Sequence, residues 1–268
     1  MGALDLLHDW PVEHAAGAVI VDGMVEATTT DVDRPFALAS VTKLITALVA
    51  LVAHEEGTLE LDEEITAAGA TAADLLAHAG GVAPDDDSQL AAPHRRRIYS
   101  THAYDMIAEA IATRAAMPYA DYAREAVLEP LAMTETRLLG SAGAGAWSTV
   151  RDLTHLVRAW REPIVVGAPT LARATSPHLP DLAGVLPGFG RHDPNPWGLG
   201  PEIRGHKDPH WTGFGNAPST FGHFGQTGTF LWVDPAADIA VVVLTDRSFG
   251  EWATQAWPVF ADAILPGT

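Results

Sequence analysis

Two strand-like segments near the start of the chain, Ala16–Val21 and Met24–Thr28, flank Asp22-Gly23. That pair readily adopts the positive φ values of a two-residue turn, so the pattern predicts a β-hairpin. From Ser40 to His54 the period changes. Leu44, Ala47, Leu48 and Leu51 recur at i, i+3, i+4 and i+7, which predicts a helix, and Gly57 suits its C′ position. Helical signals then dominate to about residue 165. Thr71 caps a short helix over 72–78, closed by Gly80-Gly81, and further helices are expected over 103–114, 119–128 and 149–160. From 163 to 218 Gly and Pro punctuate the text and predict loops with no secure strand. Thr229–Val233 and Ile239–Thr245 read as strands, and 250–264 as a closing helix.

Strands at both ends with helices between them imply an α+β plan. One sheet is built from both termini and flanked by helices, with a helical lobe inserted. The expected division is 1–60 with 190–268 as the sheet lobe and 61–189 as the mostly helical lobe. The cleft between them is the natural place for a site. The longest apolar run, Phe36–Ala53, contains Ser40, Thr42 and Lys43, and so reads as a buried helix with a polar head rather than a membrane span. Residues 1–11 carry Asp5 and Asp9 and no basic start, which does not resemble a signal peptide. A cytoplasmic protein with no membrane partner is therefore the expectation.

Composition narrows the chemistry. The 268 residues suffice for a real core, and a net charge of −18 disfavours a nucleic-acid partner. Arg95-Arg96-Arg97 is the one basic run; it reads as a solvated loop, with a local substrate-facing patch as the alternative. Without cysteine there are no disulfides, no thiol catalysis and no cysteine-held metal. His206 and His210 have i, i+4 spacing, but Pro209 lies between them, so a polar loop is expected and no metal site. No Gly-rich phosphate loop and no Gly-x-Ser-x-Gly elbow occurs, and no cofactor is expected.

The sharpest local feature is Ser40-Val41-Thr42-Lys43. On a helix, residues three apart share a face, and a serine near the helix N-terminus meets free N–H groups and the positive dipole end. A buried lysine one turn away can take the serine proton; the plain alternative is a capping serine with an incidental lysine. The chain writes 14 of its 16 cations as arginine, yet places a lysine in its most apolar helix. A guanidinium cannot accept a proton, whereas an amine can.

These residues have companions. Phe36-Ala-Leu-Ala-Ser40-Val-Thr-Lys43, Gly57-Thr-Leu-Glu-Leu-Asp62, Leu75-Leu-Ala-His78-Ala-Gly80-Gly81, Tyr99-Ser-Thr101, Pro130-Leu-Ala-Met133-Thr-Glu-Thr136, Ser148-Thr-Val-Arg-Asp152 and His223-Phe-Gly225 follow one another along nearly the whole chain. In this order they resemble the serine β-lactamase and penicillin-binding-protein superfamily, on its class C-like branch with related esterases and peptidases. The resemblance implies the β-lactamase/transpeptidase-like fold and a serine hydrolase acting through an acyl-enzyme on a small-molecule ester, amide or lactam carbonyl.

It further implies a role for each matching position. Ser40 would be the nucleophile, Lys43 its proton acceptor and Tyr99 a proton shuttle. The backbone N–H groups of Ser40 and Gln226 would form the oxyanion hole. Thr101, His223 and Gly225 would contact substrate, His223 through a substrate carboxylate or a hydrogen bond to Tyr99. The aromatics Trp197, Trp211, Phe214, Phe221 and Phe224 would line an acyl pocket or pack in the core. Two positions depart from the pattern. Thr101 replaces the motif asparagine, and a hydroxyl cannot offer an amide's paired donor and acceptor. Leu138–Trp147 is short and small-residued, which suggests an open cleft. Ester or amide hydrolysis is thus expected ahead of efficient β-lactam turnover, and the competing reading is a non-catalytic relative that keeps the cleft for ligand binding. The oligomeric state is not legible.

Overall fold

The computed structural model describes residues 2–265. β1 (Ala15–Val21) and β2 (Met24–Thr28) pair antiparallel around Asp22 and Gly23, both at positive φ (49° and 77°), as that dipeptide favours. β3 (Phe36–Ala37) runs into one tight 3-10 turn, Ala39–Val41, and then α1 (Thr42–Glu55). α1 differs from the one-faced helix expected: every residue from Thr42 to Ala53 is buried, because the helix is enclosed by other elements on all sides.

α2 (Ala72–Leu76), α3 (His102–Ala115) and α4 (Tyr119–Ala123) follow, α4 ending in a π turn over Arg124–Leu128. α1 packs on α3, α3 on α2 and α4. β4 (Arg137–Leu138) and β5 (Ala146–Ser148) join β3 in a small sheet of order β3-β5-β4, which ties the start of α1 to a segment about a hundred residues away. α5 (Val150–Arg161) is capped by Thr149, whose Oγ1 accepts the Asp152 N–H. This helix lies against the sheet described next. α6 (Ala168–Ala174) follows.

The stretch expected to hold loops contains three short strands, β6 (Gly184–Leu186), β7 (Gly190–His192) and β8 (Glu202–Ile203). Two or three residues are too few to show a period, which is why pattern alone missed them. β9 (Phe221–Gly225), β10 (Thr229–Asp234), β11 (Ile239–Thr245) and α7 (Glu251–Ile264) complete the chain. The main sheet is six-stranded and antiparallel, in the order β2-β1-β11-β10-β9-β8, with the N-terminal β1 paired to the C-terminal β11 from Ala15↔Thr245 to Val21↔Ile239. α5 packs against β1, β10 and β11, while Trp257 and Phe260 of α7 stack on Phe230 of β10 at 4.9 and 6.2 Å. With both faces covered, β11 is buried along its whole length and reads as a continuous apolar run. On β9, β8 pairs with Phe221 and Gly222 and stops there, so the His223–Gly225 end of β9 is an open edge. Among the described residues no helix is long and apolar enough to cross a membrane.

Candidate active site

Ser40 sits in the 3-10 turn that leads into α1, which begins two residues later than the helical pattern suggested. The preceding residue, Ala39, has φ 44°, a left-handed conformation that an L-residue holds only when its surroundings impose it. They do so here through hydrogen bonds on both sides. The Leu38 N–H donates to Ala146 O at 2.9 Å, the Thr227 hydroxyl donates to Ala37 O at 2.7 Å, and the Thr229 hydroxyl donates to Leu38 O at 2.9 Å. The two threonines belong to Gln226-Thr-Gly-Thr229, so the β9–β10 turn clamps the serine turn, a role not read from the sequence. Gly225 serves the same junction. A Cβ there would lie 2.3 Å from Leu38 O and 2.5 Å from Thr229 Oγ1. What this glycine admits is the serine turn.

Lys43 is fully buried. Its Nζ lies 3.2 Å from Ser40 Oγ, 3.2 Å from Thr101 Oγ1 and 2.8 Å from Gly143 O, and it faces the Tyr99 and Tyr104 rings at 4.8 and 5.3 Å. Burial drives its pKa down from 10.5 to about 7; Asp105 and Asp85 offset only part of this. Thr101 therefore contacts the lysine, on the Gly143 side. Leu138–Trp147 is not the opening that its small residues suggested. The Asp105 carboxylate accepts from Ser141 Oγ and the Ala142 N–H, Thr46 Oγ1 donates to Ala142 O at 2.6 Å, and the segment closes over Lys43. Small residues are needed because the approach is close: a Cβ on Gly143 would meet Thr101 Cγ2 at 2.8 Å.

Tyr99 is half-buried, and desolvation raises its phenol well above 10. Its hydroxyl lies 3.4 Å from Nε2 of the buried His223. Nδ1 of His223 is 2.7 Å from Phe224 O, and a carbonyl can only accept, so Nδ1 carries the hydrogen and Nε2 offers a lone pair to Tyr99. Burial, with Lys43 adding repulsion, lowers the His223 pKa to about 3. Of the two roles expected for His223, the hydrogen bond to Tyr99 is present, and the neutral ring has no charge to offer a carboxylate. His78 also belongs to this wall. Its ring lies 4.5 Å from that of Tyr99 and edge-on to Trp197 at 4.6 Å, and its Nδ1 accepts the Ser100 N–H, which holds the backbone beside Tyr99. Its φ of 57° places it there after α2 ends.

Among the described residues, neither the Ser40 nor the Gln226 N–H donates to a protein acceptor. Both residues line a pocket of about 70 Å³ together with Tyr99, Trp197, Glu202 and His223. Of the five aromatics singled out, Trp197 and Phe224 line this pocket, Trp211 and Phe221 are buried outside it, and Phe214 is solvent-exposed. Glu202 was not anticipated. It is buried, accepts from Lys207, His210 and Trp211, and is held well below the usual carboxylate range, because His210 and Lys207 outweigh the desolvation that pushes the other way. His210 is thus a hydrogen-bond partner of Glu202. Arg97 is also buried, donating to the carbonyls of Ala77, His178, Leu179 and Asn195 at 2.5–2.8 Å. The basic triplet is therefore one structural arginine and two solvent-facing ones.

A sheet of both termini, a central buried helix that carries the lysine behind a serine turn, and a facing tyrosine define an antiparallel α+β fold of the β-lactamase/transpeptidase type. Residues 8–264 match the family model described as beta-lactamase, and the chain belongs to that family. Among solved structures, a β-lactamase from Mycobacterium bovis is similar at 49% identity with a TM-score of 0.96, over 98% of this chain and 97% of the other. EstCE1, described as a hydrolase with promiscuous acyltransferase activity, shares the fold at 18% identity and a TM-score of 0.81, over 98% of this chain and 96% of the other. Simvastatin synthase from Aspergillus terreus shares it at 15% identity and a TM-score of 0.78, over 97% of this chain and 92% of the other. No sequence among curated proteins matches the chain.

Proposed function

We propose that the protein is a serine hydrolase that forms an acyl-enzyme on Ser40 from an ester or amide. The observation that carries this reading is the buried Lys43 amine, 3.2 Å from Ser40 Oγ with a pKa near 7. A neutral amine has two N–H donors and one lone pair. Gly143 O and Thr101 Oγ1 take the two donors, which leaves the lone pair for the Ser40 hydroxyl. Two groups compete for the role of base, and electrostatics separates them. The Tyr99 phenol is raised and stays protonated, whereas Lys43 is neutral in half its molecules near pH 7.

In this scheme Lys43 takes the Ser40 proton as Oγ bonds to the carbonyl carbon, and the oxyanion is held by the Ser40 and Gln226 N–H groups. The leaving oxygen or nitrogen is protonated by the Tyr99 hydroxyl, which recovers its proton from the Lys43 ammonium; His223 Nε2 orients that hydroxyl. Water then cleaves the acyl ester and frees Ser40. Thr101 acts through Lys43 rather than through an amide side chain of the substrate, which favours plain esters and amides over β-lactams. The test is intact-protein mass after fluorophosphonate treatment, with hydrolysis of short-chain p-nitrophenyl esters. One adduct and ester turnover are expected, both lost in Ser40→Ala. Turnover retained by Ser40→Ala overturns the mechanism, and neither adduct nor turnover in the wild type favours the ligand-binding alternative.

A further inference from the structure

Beyond Tyr99 and Pro187, which line both, the small pocket continues into a basin of about 730 Å³. Its charged lining is arginine alone: Arg95, Arg96, Arg97 and Arg191, with no carboxylate, in a chain of 34 acidic and 16 basic residues. Arg97 is committed to four carbonyls and points inward. Arg95 and Arg96 are exposed and form no ion pair among the described residues, and Arg191 reaches only Asp193, at 3.4 Å. Asp85, Asp86 and Asp87 stand on the neighbouring turn and do not line the basin. The floor between the arginines is apolar, with Leu90 and Val185 more than half exposed (53% and 58%).

The reacting centre itself has no cation for an anionic substrate. His223 is neutral, and Lys43 is sealed beneath Gly143 and Thr101. Among the described residues, the cations that line the approach to Ser40 are the arginines of this rim, and planar guanidinium groups suit carboxylates and phosphates. We propose that Arg95, Arg96 and Arg191 bind the anionic end of the substrate, an ester or amide bearing a carboxylate or phosphate on a short apolar chain that lies over Leu90 and Val185. The proposal rests on the reading of Ser40 as the reacting centre.

The experiment compares kcat/KM for p-nitrophenyl butyrate, mono-p-nitrophenyl glutarate and p-nitrophenyl 4-phosphonobutyrate at low salt, in the wild type and in Arg95→Gln/Arg96→Gln/Arg191→Gln. An anionic ester is expected to exceed the neutral one by about tenfold, a preference that shrinks in 0.5 M salt and vanishes in the triple variant, whose rate on the neutral ester is unchanged. The better of the two anions identifies the headgroup. No anionic preference, or one that survives the triple substitution, overturns the proposal. Calorimetric binding of 4-phenylbutyrate and 4-phenylbutanol to Ser40→Ala tests the same rim without turnover. The carboxylate is expected to bind about tenfold more tightly, and equal affinities overturn the proposal. If no ester is hydrolysed yet this binding preference holds, the hydrolase reading fails and the anion site stands.

Discussion

Lys43→Met isolates the buried amine of the candidate site. A fall from 10.5 to about 7 means that burial of the amine opposes folding by roughly 4 kcal/mol at pH 7, at about 1.4 kcal/mol per pH unit. A methionine of similar length removes that penalty. It also strips Gly143 O of its buried donor, which costs about 1–3 kcal/mol. The variant is therefore expected to be inactive yet more stable than the wild type at pH 7, by roughly 1–3 kcal/mol. The sign of the pH dependence follows from proton counts. Between pH 7 and 10.5 the unfolded lysine is protonated and the folded one is not, so the wild type gains stability as pH rises, by up to about 1.4 kcal/mol per unit. The advantage of the Met variant should shrink over that window and disappear towards pH 10; groups common to both chains cancel in the difference. Urea unfolding of the two proteins at pH 7, 8.5 and 10 measures it. A Met variant less stable at pH 7, or a difference that does not change with pH, would refute the argument, because Lys43 would then be an ordinary charged lysine.

Three further outcomes follow from the same geometry. The rate of Ser40 acylation, read as kcat/KM on an ester, should climb through a midpoint near pH 7 and level off above it, since only the neutral Lys43 accepts the proton; a flat profile from pH 5 to 9 would contradict this. Gly225→Ala should slow fluorophosphonate labelling of Ser40 by about tenfold or more while the protein stays folded by circular dichroism, because the new Cβ drives into Leu38 O and shifts the serine turn; labelling at the wild-type rate would show that the turn does not depend on this contact. Arg97→Met should lower the unfolding free energy by about 3–5 kcal/mol, since four carbonyls, two of them in buried contacts, lose one shared guanidinium, with a change under 1 kcal/mol in urea melts arguing against it.

Much of the fold was legible because its signals are local. Asp22-Gly23 fixes its own turn, the terminal strands alternate or run apolar over five to seven residues, and Thr149 caps the helix it precedes. The three short strands between 184 and 203 were not legible, because their pairing is set by partners and not by their own two or three residues. The candidate site divides in the same way. Ser40 and Lys43 lie one helical turn apart, so their proximity is written in the spacing, and the scarcity of lysine marks the position.

What the spacing cannot carry is the environment. The Lys43 pKa falls to about 7 because the fold buries the amine, with Gly143, one hundred residues on, closing over it, and desolvation depends on three-dimensional packing alone. Gly225 makes room for Leu38 of the serine turn, a contact that no local pattern shows, and the His223 tautomer is fixed by the Phe224 carbonyl beside it in the folded strand. Arg95, Arg96 and Arg97 make the point most plainly. They are identical neighbours, yet one is locked among carbonyls from distant segments and two face solvent beside the pocket. The sequence by itself determined which chemistry this chain can hold; the tertiary structure decided which groups are buried, which are neutral and which are free to meet a ligand, because solvation and hydrogen-bond partners come from residues far apart in the chain.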